Sequence, residues 1–301
     1  VRIGVDLGGT KIEAVGLDEG GRVLGRRRVP TPRGDYAATV EAIGSVVEAV
    51  EAEAGRRGSV GVAMPGAISP ATGRVKNANS TWLNGRFLND DLERRLRRKV
   101  RLANDANCFA LSEARDGAAA GARVVFGVIL GTGTGGGVVV DGRVLVGGNA
   151  VAGEWGHNAL PWPTPEEWPG PPCYCGRTGC VETFLSGPGL AREHRLRTGE
   201  DKDAVAIAAG AAAGQSDCLR TIEVYADRLA RGLAMVINVL DPDVIVLGGG
   251  LSNLTPIYSL VPERWGSRVF SDRVATRLLP PAHGDASGGR GAAWLWAPGE
   301  V

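Results

Sequence analysis

Ile3-Gly-Val-Asp-Leu-Gly-Gly-Thr10 is an alternating apolar run that breaks at two glycines, and Phe126-Gly-Val-Ile-Leu-Gly-Thr-Gly133 repeats it at an offset of 123 residues. Gly4, Val5, Leu7 and Gly8 recur as Gly127, Val128, Leu130 and Gly131, and at the same offset Asp18 meets Asp141. Two residues out of step, Arg22-Val-Leu24 recurs as Arg143-Val-Leu145. Period-two alternation marks a strand and paired glycines mark its turn. Arg2 to Val29 therefore reads as three strands, with turns at Gly8–Lys11 and Asp18–Gly21. Because order and spacing hold across two hairpins, the pattern predicts a duplicated domain.

Outward from these hairpins, the apolar positions Val40, Ile43, Val47 and Val50 predict a helix over 35–54. A strand follows at 59–64, a helix at 88–99, a strand at 100–103 and a helix at 105–116, with Asn104 or Asp105 near its N-terminus. After the second hairpin pair, Pro161 to Cys180 is too irregular for helix or strand. Helices are expected near 186–195, 203–212, 216–239 and 254–265, with a buried strand at 244–247 and a turn at Gly248–Gly250. The end, 289–296, reads as helical and apolar. Strands alternating with helices predict an α/β fold. With no flexible linker between the halves, two lobes around a cleft are expected, an N-terminal lobe 1–117 and a C-terminal lobe 118–301. The last helix, 287–297, is a candidate to pack back on the first lobe.

Charge narrows the partners. In 301 residues, 34 basic side chains face 33 acidic ones, which excludes a nucleic-acid binder held by net charge. The runs Arg94–Lys99 and Arg26–Arg28 then read as solvated faces. Forty-six glycines without a triplet period exclude collagen, and five cysteines are too few for a disulfide scaffold. No apolar run reaches the ~20 residues of a membrane helix. No leader pattern precedes the first strand, so a cytoplasmic protein is expected.

Glycine-rich turns bring backbone N–H groups close to a phosphate with no Cβ in the way. Gly8-Gly9-Thr10-Lys11 and Thr132-Gly133-Thr134-Gly135-Gly136 both offer this, as does Gly248–Gly250 after a strand. Gly131 to Gly136 matches G-x-G-x-x-G, but Val138-Val-Val140 continues as a strand, so the dinucleotide reading fails. No G-x-x-x-x-G-K-[ST] occurs. His157, Cys173, Cys175 and Cys180 form H-x15-C-x-C-x4-C, a soft donor set suited to zinc, with reduced buried thiols as the competing reading. Asp105 lies at a strand-to-helix junction, where it serves either as a helix N-cap or as a carboxylate facing a cleft.

Asp6-Leu-Gly-Gly-Thr-Lys11, Asn104-Asp-Ala-Asn107, Gly131-Thr-Gly-Thr-Gly-Gly136 and Gly153-Glu-Trp-Gly-His157 resemble the actin-like superfamily of sugar kinases and heat-shock chaperones. Within it they resemble the ROK family of bacterial repressors, open reading frames and kinases. The resemblance implies the duplicated actin-like, ribonuclease H-like ATPase fold, with ATP and Mg²⁺ between the lobes. The nucleotide residues it implies are Gly4, Val5, Asp6, Leu7, Gly8, Gly9, Thr10 and Lys11, with Thr132, Gly133, Thr134, Gly135, Gly249 and Gly250. Asp6 would lie near the metal and phosphates. Gly156-His157 and Cys173 to Glu182 match the family pattern for a structural Zn²⁺ that pins the loop 157–180. Asp105 would take the proton from the sugar hydroxyl. Asn104, Glu154, His157, Glu182, Asn79 and Gly66 would contact the sugar, His157 through the ring nitrogen not given to zinc. A homodimer is implied as well.

Lys76–Gly85, Gly153–Asn158, Cys173–Gly176 and Gly289–Trp296 are similar to bacterial fructokinases. The expected reaction is ATP-dependent phosphorylation of D-fructose to fructose 6-phosphate, with N-acetylglucosamine, mannose or glucose as alternatives. A sugar-sensing repressor would need a helix-turn-helix of roughly 60–80 residues ahead of the first strand. A chaperone-like ATPase would lack the Glu154/His157/Glu182 set.

Overall fold

The computed structural model describes residues 1–297 and 300; Pro298, Gly299 and Val301, at the end of the expected 118–301 span, lie outside the described residues. The chain runs β1 (Arg2–Leu7), β2 (Lys11–Leu17), β3 (Val23–Pro30), α1 (Tyr36–Ala54), β4 (Ser59–Met64), the small hairpin β5 (Ala67–Ile68) and β6 (Val75–Lys76), α2 (Leu88–Leu96), β7 (Val100–Asn104) and α3 (Asp105–Asp116). It continues with β8 (Val124–Leu130), β9 (Thr134–Val140), β10 (Arg143–Val144), α4 (Val181–Leu185), α5 (Gly187–Thr198), α6 (Ala204–Ala212), α7 (Ser216–Leu240), β11 (Val244–Gly248), α8 (Ile257–Trp265), β12 (Arg277–Leu279) and α9 (Ser287–Ala293).

The two large sheets have one plan. Their orders are β3-β2-β1-β4-β7 and β10-β9-β8-β11-β12, so each strand of one has a counterpart in the other. In the first, β1 to β3 are antiparallel and β1, β4 and β7 are parallel. In the second, β8, β11 and β12 are parallel. The repeat read in the sequence holds at the level of register: Ile3 pairs with Val60, and Phe126 with Ile245.

Several boundaries differ from expectation. The helix expected at 88–99 ends at Leu96, because Arg97 takes a left-handed φ of 53° and caps it. The helix expected from 254 starts at Ile257, after a short 3-10 turn at Gly250–Asn253. The last helix stops at Ala293, where the Trp294 and Trp296 indoles turn to Asp116 Oδ2 and to the carbonyl of Val60. Strand β12 has only three residues, too few to show a period in sequence.

The chain packs as two compact units, which differ from a single cut at 117/118 in three places. The first unit holds residues 1–121, 137–152 and 282–301; the second holds 122–136 and 153–281. Segment 137–152 joins the first unit because Gly137 lies against the start of α3, where a Cβ would come within 2.4 Å of the Ala106 carbonyl. Residues 282–287 are held by Glu113 of α3, a fully buried carboxylate. It accepts from the N–H groups of Ala118, Ala282 and His283 and from the Ser287 hydroxyl.

In the first unit Ile3, Val5 and Leu7 point to the face covered by α1, whose Val40, Ile43, Val47 and Val50 are buried. The opposite face meets α9 so closely that side chains are excluded. A Cβ on Gly4 would sit 1.8 Å from the Gly289 carbonyl oxygen, and one on Gly61 1.8 Å from that of Ala292. On the far side of α9, a Cβ on Gly291 would lie 1.7 Å from the Cys108 carbonyl oxygen. Gly291→Ala must therefore push α9 away from α3, an overpacking cost of about 1–3 kcal/mol. The expected result is a melting temperature several degrees lower, read by calorimetry; an unchanged melting temperature would contradict this packing.

Candidate active site

In the first unit the C-terminal ends of the parallel strands β1, β4 and β7 lie side by side, the edge at which α/β sheets bind ligands. Asp6 pairs in register with Ala63, and Met64 with Asn104, so Asp6–Lys11, Pro65-Gly66 and Asn104-Asp105 share this edge. Asp6 projects to the side opposite Val5, where a Cβ on Gly288 would come within 3.1 Å of its carboxyl. Gly4, Val5 and Leu7, expected at the nucleotide, are buried packing positions, with Gly4 covered by α9. Gly8, Gly9, Thr10 and Lys11 are the half-buried and exposed part of the turn.

The helix cap falls to Asn104, not Asp105. Asn104 Oδ1 accepts from Ala106 N at 2.9 Å, and its Nδ2 donates to the Gly66 carbonyl at 3.2 Å. One side chain thus joins the β4 end to α3. Asp105 is the first helical residue, solvent-exposed, with Oδ1 accepting from Ala106 N at 2.8 Å. Burial raises the Cys108 thiol well above its usual range, and the negative charges of Asp6 and Asp105 push it the same way. Both carboxylates thus act on one buried group. Gly66 has φ 74°, and a Cβ there would strike the Lys76 carbonyl at 2.3 Å, so glycine lets β5–β6 fold over the strand end. Beyond it the turn bearing Asn79 is pinned by Asn84, which bonds both N–H and C=O of Ala78 at 2.9 Å. Asn79 is exposed, and Ser80 comes close to Gly9. The expected residues Asp6, Gly66, Asn79, Asn104 and Asp105 are therefore brought to one edge.

In the second unit the corresponding edge is formed by β8 and β11. Gly249 has φ 80°, and a Cβ there would meet the Leu130 carbonyl at 2.4 Å, so only glycine brings this turn against the end of β8. Gly249 and Gly250 are exposed, as is Thr132, while Gly133 and Gly135 are half-buried. Thr134 is buried, and its hydroxyl oxygen has no hydrogen-bond partner among the described residues. Its backbone N–H donates to Glu182 Oε2 at 2.9 Å. Glu182, expected to accept from sugar hydroxyls, thus has one oxygen committed to the glycine-rich turn. A side chain on Gly133 would collide with that oxygen at 2.6 Å.

Gly153-Glu-Trp-Gly-His157 is anchored by its tryptophan. Trp155 is buried, donates from Nε1 to the Gly135 carbonyl at 2.9 Å, and meets Phe126 edge-on. That anchor leaves Glu154 exposed on one side and His157 half-buried on the other. Loop 158–180 closes on itself through bridges between Ala159 and Cys180 and between Pro172 and Thr178. Cys173 N–H donates to the Arg177 carbonyl, closing the knuckle. The ligand atoms of His157, Cys173, Cys175 and Cys180 all lie within 4.8 Å of one another. His157 Nδ1 is 3.6 Å from Cys173 Sγ, and Cys175 Sγ is 3.6 Å from Cys180 Sγ. A tetrahedron with metal–sulfur bonds of about 2.3 Å has edges of about 3.8 Å, so the set fits Zn²⁺.

Two features went unread in the sequence. Tyr174, between two cysteines, places its hydroxyl 3.0 Å from His157 Nε2, where a sugar hydroxyl was expected. Glu167 is buried with Arg228 and Arg231 of α7: its Oε1 accepts from Arg228 Nε at 2.7 Å and from Arg231 Nη2 at 2.7 Å. Both arginines lie on α7, 61 and 64 residues further along the chain, so no local pattern announces this pairing.

Two sheets of one order, each with glycine-rich turns at the ends of its parallel strands, define the duplicated actin-like, ribonuclease H-like ATPase fold. The ROK family model matches residues 2–298. The chain belongs to the ROK family and is one of its sugar kinases. It is 40% identical over 296 residues to the N-acetyl-D-glucosamine kinase of Photobacterium profundum, covering 97% of this chain and 98% of that one. The ROK hexokinase from Thermus thermophilus superposes with a TM-score of 0.86 at 34% identity, over 98% of this chain and 97% of that chain. The ROK glucokinase from Streptomyces griseus, solved with glucose and AMPPNP, superposes at 0.78 with 29% identity, over 98% of each chain. Among the described residues no helix is long and apolar enough to cross a membrane.

Proposed function

We propose that the chain transfers the terminal phosphoryl group of ATP to a hydroxyl of N-acetyl-D-glucosamine. The observation that carries the substrate is the 40% identity, spread over 97% of the chain, to an N-acetyl-D-glucosamine kinase. This replaces the fructose expectation with one of its alternatives. Asp105 takes the proton as the sugar oxygen forms its bond to phosphorus and the bond to the leaving ADP oxygen breaks. Its exposed carboxylate at a strand end, with the cap supplied by Asn104, supports that role. Asn104, Gly66 and Asn79, with Glu154, His157 and Glu182, are the proposed sugar contacts. Gly8–Lys11, Thr132–Gly135, Gly249 and Gly250 are proposed to cradle the phosphates through backbone N–H groups. Asp6, an oxygen donor on the same sheet edge as Asp105, would hold Mg²⁺, which neutralises phosphate charge when bound.

The proposed role of Zn²⁺ on His157, Cys173, Cys175 and Cys180 is structural, since four protein ligands complete its tetrahedron. Cys180→Ala is expected to lose the metal, lower the melting temperature and raise the KM for sugar. Metal analysis with calorimetry checks this; full zinc content would reject the ligand set.

A coupled assay of ADP release across N-acetylglucosamine, glucose, mannose and fructose tests the reading. N-acetylglucosamine should give the highest kcat/KM. A tenfold preference for another hexose would move the substrate, and activity with none would end the proposal.

A further inference from the structure

Tyr174 is 83% exposed, yet its hydroxyl is engaged. It lies 3.0 Å from His157 Nε2, and the two rings meet edge to face with centroids 5.1 Å apart. The other ring nitrogen, Nδ1, is turned toward the cysteine cluster, 3.6 Å from Cys173 Sγ. An Nδ1 that offers its lone pair to a metal leaves the proton on Nε2, so Nε2–H donates to the Tyr174 oxygen. A tyrosine in this position does two things. It holds the imidazole in the tautomer that the metal needs, and it occupies the site on Nε2 at which a sugar hydroxyl would bond.

We infer that Tyr174 is a positioning residue, a resting partner of His157 that yields its place to the sugar. This rests on the proposed sugar and zinc roles of His157. Because the ring is already in solvent, swinging it aside uncovers little apolar surface, and the exchange replaces one neutral hydrogen bond with another. The hydroxyl therefore opposes sugar binding weakly while protecting the metal ligand in its absence.

Tyr174→Phe keeps the ring and removes the bond. Without the competitor, the KM for N-acetylglucosamine should fall by about threefold to tenfold, with the change in KM rather than kcat. In the sugar-free protein, zinc release to a chromogenic chelator should be about tenfold faster than in wild type. Saturating sugar should abolish that difference, since its hydroxyl then partners Nε2. Unchanged or raised KM, or equal release rates from metal-bearing wild type and variant, would overturn the inference alone. Wild-type protein isolated without zinc would instead overturn the metal reading, and the tautomer half of the inference with it.

Discussion

Asp105→Asn is expected to lower kcat by about a hundredfold to ten-thousandfold, the usual contribution of a positioned base. Asparagine keeps the size of the side chain and an oxygen able to accept from Ala106 N, so α3 should start as before. The cap itself belongs to Asn104. Sugar affinity, measured by calorimetric titration, should therefore change little while turnover collapses. Near-normal turnover would remove Asp105 from the chemistry. Asn104→Ala should behave differently, because it unties Gly66 from α3 as well as removing the cap. It should lower both stability and sugar affinity.

Glu167→Ala is expected to be the most destabilising single change outside the sheets. It would leave Arg228 and Arg231, both nearly buried, without their shared carboxylate. Breaking a buried pair costs about 3–5 kcal/mol, and the low end applies here because Arg228 keeps Glu193 and Arg231 keeps Asp227. The loop carrying Trp162 should loosen too, since its carbonyl accepts from Arg231. Burial opposes the charged form of Glu167, but hydrogen bonds from Arg231, Arg228 and the Thr164 N–H outweigh it and hold its pKa at about 2. A carboxyl depressed in the folded state contributes stability above its ordinary value of 4.5, and loses it as pH falls toward 2. Wild-type protein should therefore lose about 3 kcal/mol across that window from this group. Glu167→Gln should show a flatter profile of melting temperature against pH. Parallel profiles would show that the cluster is not what holds the loop.

The similar proteins favour N-acetylglucosamine, one of the alternatives, over fructose, and the segments that pointed to fructose show a physical reason. Two of the segments that pointed to fructose work largely for the fold. Trp82 donates to Thr39 Oγ1, Asn84 pins the backbone of Ala78, and Gly289 and Gly291 admit α9 against β1 and α3. Similarity in such residues reports a shared scaffold. Gly4, Val5 and Leu7 of the first glycine-rich motif are buried, with Gly4 packed against α9.

What local sequence settled is whatever depends on local spacing. Period-two alternation with glycine turns gave the hairpins, their repetition gave the second sheet, and four soft donors within 24 positions gave the cluster now found within 4.8 Å. Tertiary structure decided what depends on partners far apart in the chain. It tied Asn104 to Gly66 and Glu182 to Thr134, buried Glu167 between two arginines of α7, and set Tyr174 on His157. A side chain's type is written in its own position, but the hydrogen bonds that complete it come from whichever strands and helices packing brings alongside.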